Sequence, residues 1–475
     1  MSVEIEVTLG RARLVAGEDA SFRLTVANRG AADATVRDPA LDGEWPKLEV
    51  LEPSGFRVAH AGRHDRTRAA SHDFLPPPLP ERVTLAPGQA AEADERLLAW
   101  VGPLAPGRYE VRAHLEADGL ALRSATVPLE VDPLAPADVE LVGPHAGPAD
   151  LAYALVTHEE RDGSRELLSW LHELDFEGHL HAVAVQRLGR VGHDARGSVT
   201  RAGSPYPGQW IVWVEAGRLA GFFHLQGRAL ARLDAPLPPG AALVGPALVE
   251  LEGCDGSAPP RAEVLVHTPG RAFVACVAPD GAVREGASWA LEGELEWGRA
   301  TLPEANVREA FVALRRRDAL EIVRLAWDAD GDPASPQPIA TRPLGRVLGA
   351  DAALGPDGRA AGALVTRAPR GEGEPTDRYE LVRFVLDAGG RPEVSARALA
   401  FDPPRDFVRA LVGARGDGEA SALLQGVGGA YFTATAAGLV AAPRLAGAPL
   451  AVRYWGGAPW ALAGVDRGLA WQRLG

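Results

Sequence analysis

The sequence predicts an all-β protein in two parts, a β-sandwich over residues 1–133 followed by a β-propeller over residues 134–475. Three observations predict it. The first 130 or so residues alternate apolar and polar positions in short runs, the mark of half-buried strands. The rest repeats a strand–turn–strand unit at a period near 50. The 54 glycines and 39 prolines supply the turns that so many short elements need. At 475 residues the chain is also too long for one ordinary core.

In the first part, Val3–Leu9 alternates cleanly, Ser21–Ala27 repeats the pattern, and Asn28-Arg29-Gly30 supplies a turn. Further strands are expected at Thr35–Arg37, Lys47–Leu51, Phe56–Ala59, Glu81–Leu85, Ala91–Val101, Gly107–Glu116 and Leu120–Val131. About eight short strands without a helical period read as a sandwich. Tyr109 opens a strand just after Leu104-Ala105-Pro106-Gly107, the placement of a tyrosine corner, in which the phenol bonds back to upstream backbone. Leu75–Pro80, rich in proline, reads as a stiff loop between strands and not as a polyproline ligand. Through Phe22–Gly30, the Leu85-Ala86-Pro87-Gly88 turn and Pro106–Val111, residues 3–132 resemble bacterial immunoglobulin-like domains of the cell-adhesion-related and intracellular-proteinase-inhibitor (BsuPI) types. The resemblance implies an immunoglobulin-like sandwich. It carries over no functional residue and no inhibitor activity.

In the second part the repeating hairpins turn at Gly178, Gly227, Gly281, Gly331, Gly390 and Gly438. A two-residue hairpin needs positive φ, which glycine adopts without steric cost. Two strands precede each hairpin, for example Val139–Val142 and Leu151–His158 in the first copy, and Ala350–Leu354 and Ala360–Arg367 in the fifth. Four strands per copy is the make-up of a propeller blade. Six copies end near residue 447, and Leu450–Gly456, Ala458–Val465 and Gly468–Leu474 offer three strands of a seventh. Seven blades are therefore expected, with a fourth strand for the last blade supplied from the other end of the chain. Six blades plus a hairpin is the alternative.

Composition narrows the function. A formal net charge of −14 repels phosphate backbones and offers nothing to anionic lipid, so nucleic acid and membrane are not expected partners. The N-terminus lacks a signal-peptide pattern, and no apolar run is long enough to span a bilayer, so a cytoplasmic, bacterial protein is expected. Two cysteines, Cys254 and Cys276, make no disulfide framework.

Candidate chemistry is sparse. His172, Glu173, Asp175, Glu177, His179 and His181 are dense in metal-ligand types, but they straddle a predicted turn and read as a solvated rim. Asp328–Asp332 has the look of a calcium loop without the right register, and reads as a turn. Arg315-Arg316-Arg317 is flanked by acids, and Arg415-Gly416-Asp417 and Gly426–Gly429 fit turns. Cys276 reads as a small buried hydrophobe, and Cys254 has no cation to activate it. Trp210 and Trp213, three apart, should face opposite sides of one strand. No catalytic, cofactor-binding or metal-ligating residue is expected, and no cofactor. The expected function is a non-enzymatic interaction or scaffolding component with protein partners. A small-molecule or glycan-binding propeller is the alternative, followed by a propeller hydrolase or lyase, against which the few carboxylates and histidines on the inner strands count.

Overall fold

The computed structural model describes residues 2–39, 47–61, 82–117, 120–142, 151–174, 180–192, 195–199, 209–225, 228–251, 261–301, 308–328, 330–343, 345–354, 359–387, 389–401, 404–435, 438–455 and 457–474. They form two compact units. One holds residues 1–135 with Ala184–Gln186 and Val465–Leu469; the other holds the remainder from Pro136. The Leu75–Pro80 segment, Cys254, Asp175, Glu177 and His179 lie outside the described residues. No helix among the described residues is long and apolar enough to cross a membrane.

In the N-terminal unit, a three-stranded antiparallel sheet runs in the order Val3–Leu9, Ser21–Asn28, Ala90–Arg96. A larger sheet runs Arg13–Val15, Val127–Asp132, Gly107–Ala117, Lys47–Leu51, Arg57–Ala61, with Leu120–Arg123 folded back on Gly107–Ala117. Alternation explains the pairing: Val3, Ile5 and Val7 turn inward while Glu4, Glu6 and Thr8 turn out. The inward residues of both sheets, among them Phe22, Leu24, Leu48, Val50, Val111 and Leu129, form one core. Tyr109 donates its hydroxyl to the carbonyl of Ala105 at 2.8 Å, the back-bond expected from its place after the turn.

Two expectations need correction here. Leu120–Val131 is two strands, Leu120–Arg123 and Val127–Asp132. Ala91–Val101 is not one strand: it breaks at Arg96 into the short helix Leu97–Val101. Asp19 imposes the break. Its carboxylate accepts the Leu98 N–H at 2.7 Å and the Arg96 Nε at 2.9 Å, from nearly 80 residues away. The helix then drives Leu97 and Trp100 into the core, with Trp100 edge-on to Phe22 at 5.1 Å. Tertiary contacts override a β-like local pattern.

The second part is a β-propeller. Six successive four-stranded antiparallel sheets begin at Pro136, Arg196, Ala242, Glu294, Arg346 and Phe407, each pairing its strands in simple chain order. A seventh sheet, Ala448–Trp455, Ala458–Val465 and Gly468–Arg473, has three strands among the described residues. The first strand of each sheet packs against the first strand of the next, and Ala448–Trp455 packs against Pro136–Val142. The ring thus closes by packing, and the strand exchange expected for its closure is not seen among the described residues.

The predicted hairpins are the third and fourth strands of their sheets. The pairs Leu225↔Arg228 and Thr435↔Gly438 leave the expected two residues between strands in the second and sixth sheets, whereas the turns of the third, fourth and fifth sheets are longer. In the fifth sheet, Asp387 and Arg391 exchange a backbone bond of 2.9 Å around Gly390, which has φ of +74°. Asp387 Oδ1 accepts the N–H groups of Gly389 and Arg391, both at 2.8 Å. The aspartate organises a turn that closes with a glycine in the left-handed region. Asp328 does the same at Asp328–Asp332, accepting from Asp330 and Asp332, so its carboxylate serves the backbone.

Neighbouring sheets are held by large side chains. Trp289 meets Trp327 at 5.7 Å across the third and fourth sheets, Phe311 meets Phe384 at 4.9 Å across the fourth and fifth, and Tyr379 meets Phe407 at 5.1 Å across the fifth and sixth. Phe311 and Phe384 are fully buried, each contributing roughly 1.5–3 kcal/mol of hydrophobic stabilisation. Trp210 is buried against Phe223 while Trp213 is part-exposed against Phe222, the opposite-face arrangement their spacing predicts.

Candidate functional site: the central channel

The inner strands share a local irregularity that sets the geometry of the channel between them. In five sheets the register of the first strand skips one residue: Ala137, Glu296, Leu348, Val408 and Leu450. A bulge of this kind bends its strand and re-aims the side chains that follow. Because the same skip recurs near the start of each strand, residues equally far beyond it occupy the same level of the ring. Three residues beyond stand Glu140, Arg299, Asp351, Leu411 and Arg453. One residue beyond stand Asp138, Trp297, Gly349, Arg409 and Ala451. All ten line a single cavity of about 530 Å³, to which every sheet except the second gives at least two residues and the second gives Arg196.

The charges are organised as links between sheets. Arg196 of the second sheet donates to Asp138 of the first at 2.7 Å. Arg299 of the fourth is ion-paired with Asp351 of the fifth. The other oxygen of Asp351 accepts the Ala414 N–H of the sixth at 2.9 Å, so both of its oxygens are occupied. Arg453 differs. It has no hydrogen bond or ion pair among the described residues, and its Nη1 is shut off from solvent. Burial and the like charge of Arg299, opposed only by Asp351, pull its guanidinium down to about 10. It is still a cation at neutral pH.

A second cavity of about 670 Å³ borders the same strands and is lined in part by Glu296, Arg315, Arg367 and Asp377. Two of its arginines are ion-paired, Arg315 with Glu296 at 2.8 Å and Arg367 with Asp377 at 2.5 Å, and Arg346 lines it as well.

The residues singled out by sequence do not assemble into a site. His172 is buried, not on a solvated rim, and meets Trp471 of the seventh sheet edge-on at 5.8 Å. Arg315 is paired with Glu294 and Glu296, and Arg316 with Glu321 at 2.7 Å. Asp417 is clamped by Arg415 within its own turn. Burial pushes the Cys276 thiol up, away from nucleophile chemistry.

Sequence reasoning missed a different cluster, Glu49, His60 and His114 of the N-terminal unit, whose donor atoms lie within 4.8 Å of one another. They come from three adjacent strands, with Glu49 directly opposite His60, and no sequence spacing betrays them. Glu49 is closed off from solvent but already bonded to Arg112 at 2.5 Å and paired with Arg57 at 3.1 Å. Burial, then the charge of Arg57, lowers His60. Two guanidiniums already neutralise the Glu49 carboxylate, so the cluster fits a buried ion-pair network better than a metal centre.

No protein-family model and no curated protein matches the sequence. Solved propellers align weakly with it. The lectin of Aleuria aurantia in complex with Fucalpha1-6GlcNAc is 12% identical over 64% of this chain and 94% of its own, with a TM-score of 0.38. BBS1N in complex with ARL6DN is 12% identical over 72% of this chain and 93% of its own, at 0.39. The NanB sialidase of Streptococcus pneumoniae is 10% identical over 89% of both chains, at 0.30. Likenesses this distant carry no functional argument, and the propeller assignment rests on the order of the sheets.

Proposed function

We propose that this chain is a non-catalytic binding protein whose recognition site is the central channel of the propeller, sized for a small molecule. One observation carries the reading: five sheets send residues of matching level into one cavity of about 530 Å³, within the usual range of small-ligand sites. This favours the ligand-binding alternative over the scaffold expected first from sequence. Binding is favoured over acid–base catalysis because the carboxylates of Asp138 and Asp351 are spent on neighbouring arginines and backbone N–H groups. In the same reading the N-terminal unit is an immunoglobulin-like accessory domain, supported by its two-sheet core and the Tyr109 back-bond.

The test is a thermal-shift screen of the full chain against neutral sugars, amino acids, carboxylates and nucleotides, repeated on Ala451→Phe. Ala451 lines the channel, and a phenyl ring there fills it. A compound that raises Tm in the wild type and not in the folded variant supports the reading. Compounds that stabilise both equally, or none that stabilises the wild type, refute it.

A further inference from the structure

We infer that the channel holds a small oxyanion, a carboxylate or phosphate-type group, seated on the guanidinium of Arg453 with Arg299 and Arg409 nearby. The inference rests on the channel reading and names the chemical class of its ligand.

A buried cation without a partner is costly, and a chain keeps one where something compensates it. Among the described residues no group bonds it, and only the charge of Asp351 acts in its favour. Asp351, the carboxylate whose charge acts on Arg453, has given one oxygen to Arg299 and the other to Ala414. Glu140 stands at the same level on the first sheet, with Oε1 buried and without a hydrogen bond among the described residues, but it is not among the charges that act on Arg453, which are those of Arg299 and Asp351. The proton cannot be shed near neutral pH, since the guanidinium titrates at about 10.

Two further arginines stand near it, and the carboxylates of Asp138 and Asp351 in the same cavity are already paired with Arg196 and Arg299. Arg299 repels Arg453 across the ring, from the fourth sheet to the seventh. Arg409 on the sixth sheet, one residue past its bulge, lines the same cavity, and no described residue pairs with it. A planar guanidinium with free N–H groups matches the two oxygens of a carboxylate or phosphate in a bidentate pair. The cavity has room for the small molecule that carries the group, not for a polymer.

The test uses the full chain, dialysed into chloride buffer and compared at matched ionic strength with phosphate, acetate and succinate. The variants are Arg453→Met and Arg453→Lys. Phosphate or one of the carboxylates is expected to raise the wild-type Tm in a saturable way and to bind by calorimetry. Arg453→Met should weaken that binding at least tenfold, and Arg453→Lys should fall between, since an ammonium keeps the charge but loses the fork. Without ligand, Arg453→Met should melt at or above the wild-type temperature. That result separates a ligand anchor from a structural residue, whose loss would lower Tm.

Equal oxyanion binding by wild type and Arg453→Met overturns the inference. So does an absence of oxyanion binding while a neutral compound still stabilises the wild type and not Ala451→Phe; the channel reading then survives. If no compound of either class stabilises, both fall. Phosphate binding without carboxylate binding, or the reverse, assigns the source of the oxyanion.

Discussion

Trp327 of the fourth sheet donates its indole N–H to Glu263 of the third at 2.6 Å, and the same carboxylate oxygen is ion-paired with Arg308 Nε at 3.1 Å. The clasp lies inside the apolar core between the two sheets. Burial pushes the Glu263 carboxyl above its ordinary value of 4.5, and the bond from Trp327 and the charge of Arg308 oppose the rise only in part. A carboxyl raised on folding stabilises the fold fully below its unfolded pKa, and that contribution is lost as pH rises through the folded value. Urea unfolding from pH 4.5 upward should therefore show a decline that Glu263→Gln flattens. Trp327→Phe, which leaves the carboxylate short of a donor, should cost about 1–3 kcal/mol at pH 7.

Asp351 offers a test of the charge links between sheets. Asp351→Ala orphans the half-buried Arg299 and the Ala414 N–H together. A loss of about 3–5 kcal/mol is expected from chemical denaturation. A cost below 1 kcal/mol would mean that water replaces the link.

Glu49 carries the opposite pH sign to Glu263. Burial pushes its carboxyl up, but Arg112, Arg57 and His114 overcome this and hold it below the ordinary 4.5. The stability it supplies is present above that value and disappears as pH falls through the folded value. Glu49→Gln should lower stability at pH 7 and remove this acid-limb loss. Zinc added to the wild type should leave Tm unchanged; a saturable rise lost in His60→Ala would convert the cluster into a metal centre.

Two glycines separate crowding from backbone strain. A Cβ on Gly349 would lie 2.1 Å from the Ala410 carbonyl oxygen of the next inner strand, a backbone atom that cannot step aside. Gly331 has open space around it but φ of +88°. Gly331→Ala should cost about 1 kcal/mol, the strain of a left-handed alanine. Gly349→Ala should cost more, about 1–3 kcal/mol, by prising apart the fifth and sixth sheets. Equal costs in thermal melts would deny the close approach of those strands.

The ring of sheets was legible because its signals are local. Gly281, Gly331 and Gly390 each sit between the third and fourth strands of a sheet and Gly438 opens a fourth strand, all at positive φ, which makes glycine the natural choice there. The helix at Leu97–Val101 was not legible, because the carboxylate that caps it is Asp19, remote in sequence. The channel was hidden for a similar reason. Glu140, Arg299, Asp351 and Arg453 look like isolated charges on apolar strands until the common bulge brings them to one level. His172 was misplaced because its contacts include Trp471, some 300 residues further along the chain.

The junction between the first and seventh sheets stands apart from the other six. Elsewhere the backbone itself passes from one sheet into the next, so a breathing motion that parts two sheets leaves them tethered. Between Ala448–Trp455 and Pro136–Val142 there is no such tether among the described residues, only side chains such as His172 and Trp471 in contact. The propeller is in this sense a split washer. Its fraying starts at the slit, and amide exchange should be fastest along the last sheet. A circular permutant with new termini between the third and fourth sheets would carry the slit, and the soft spot, to the far side of the ring.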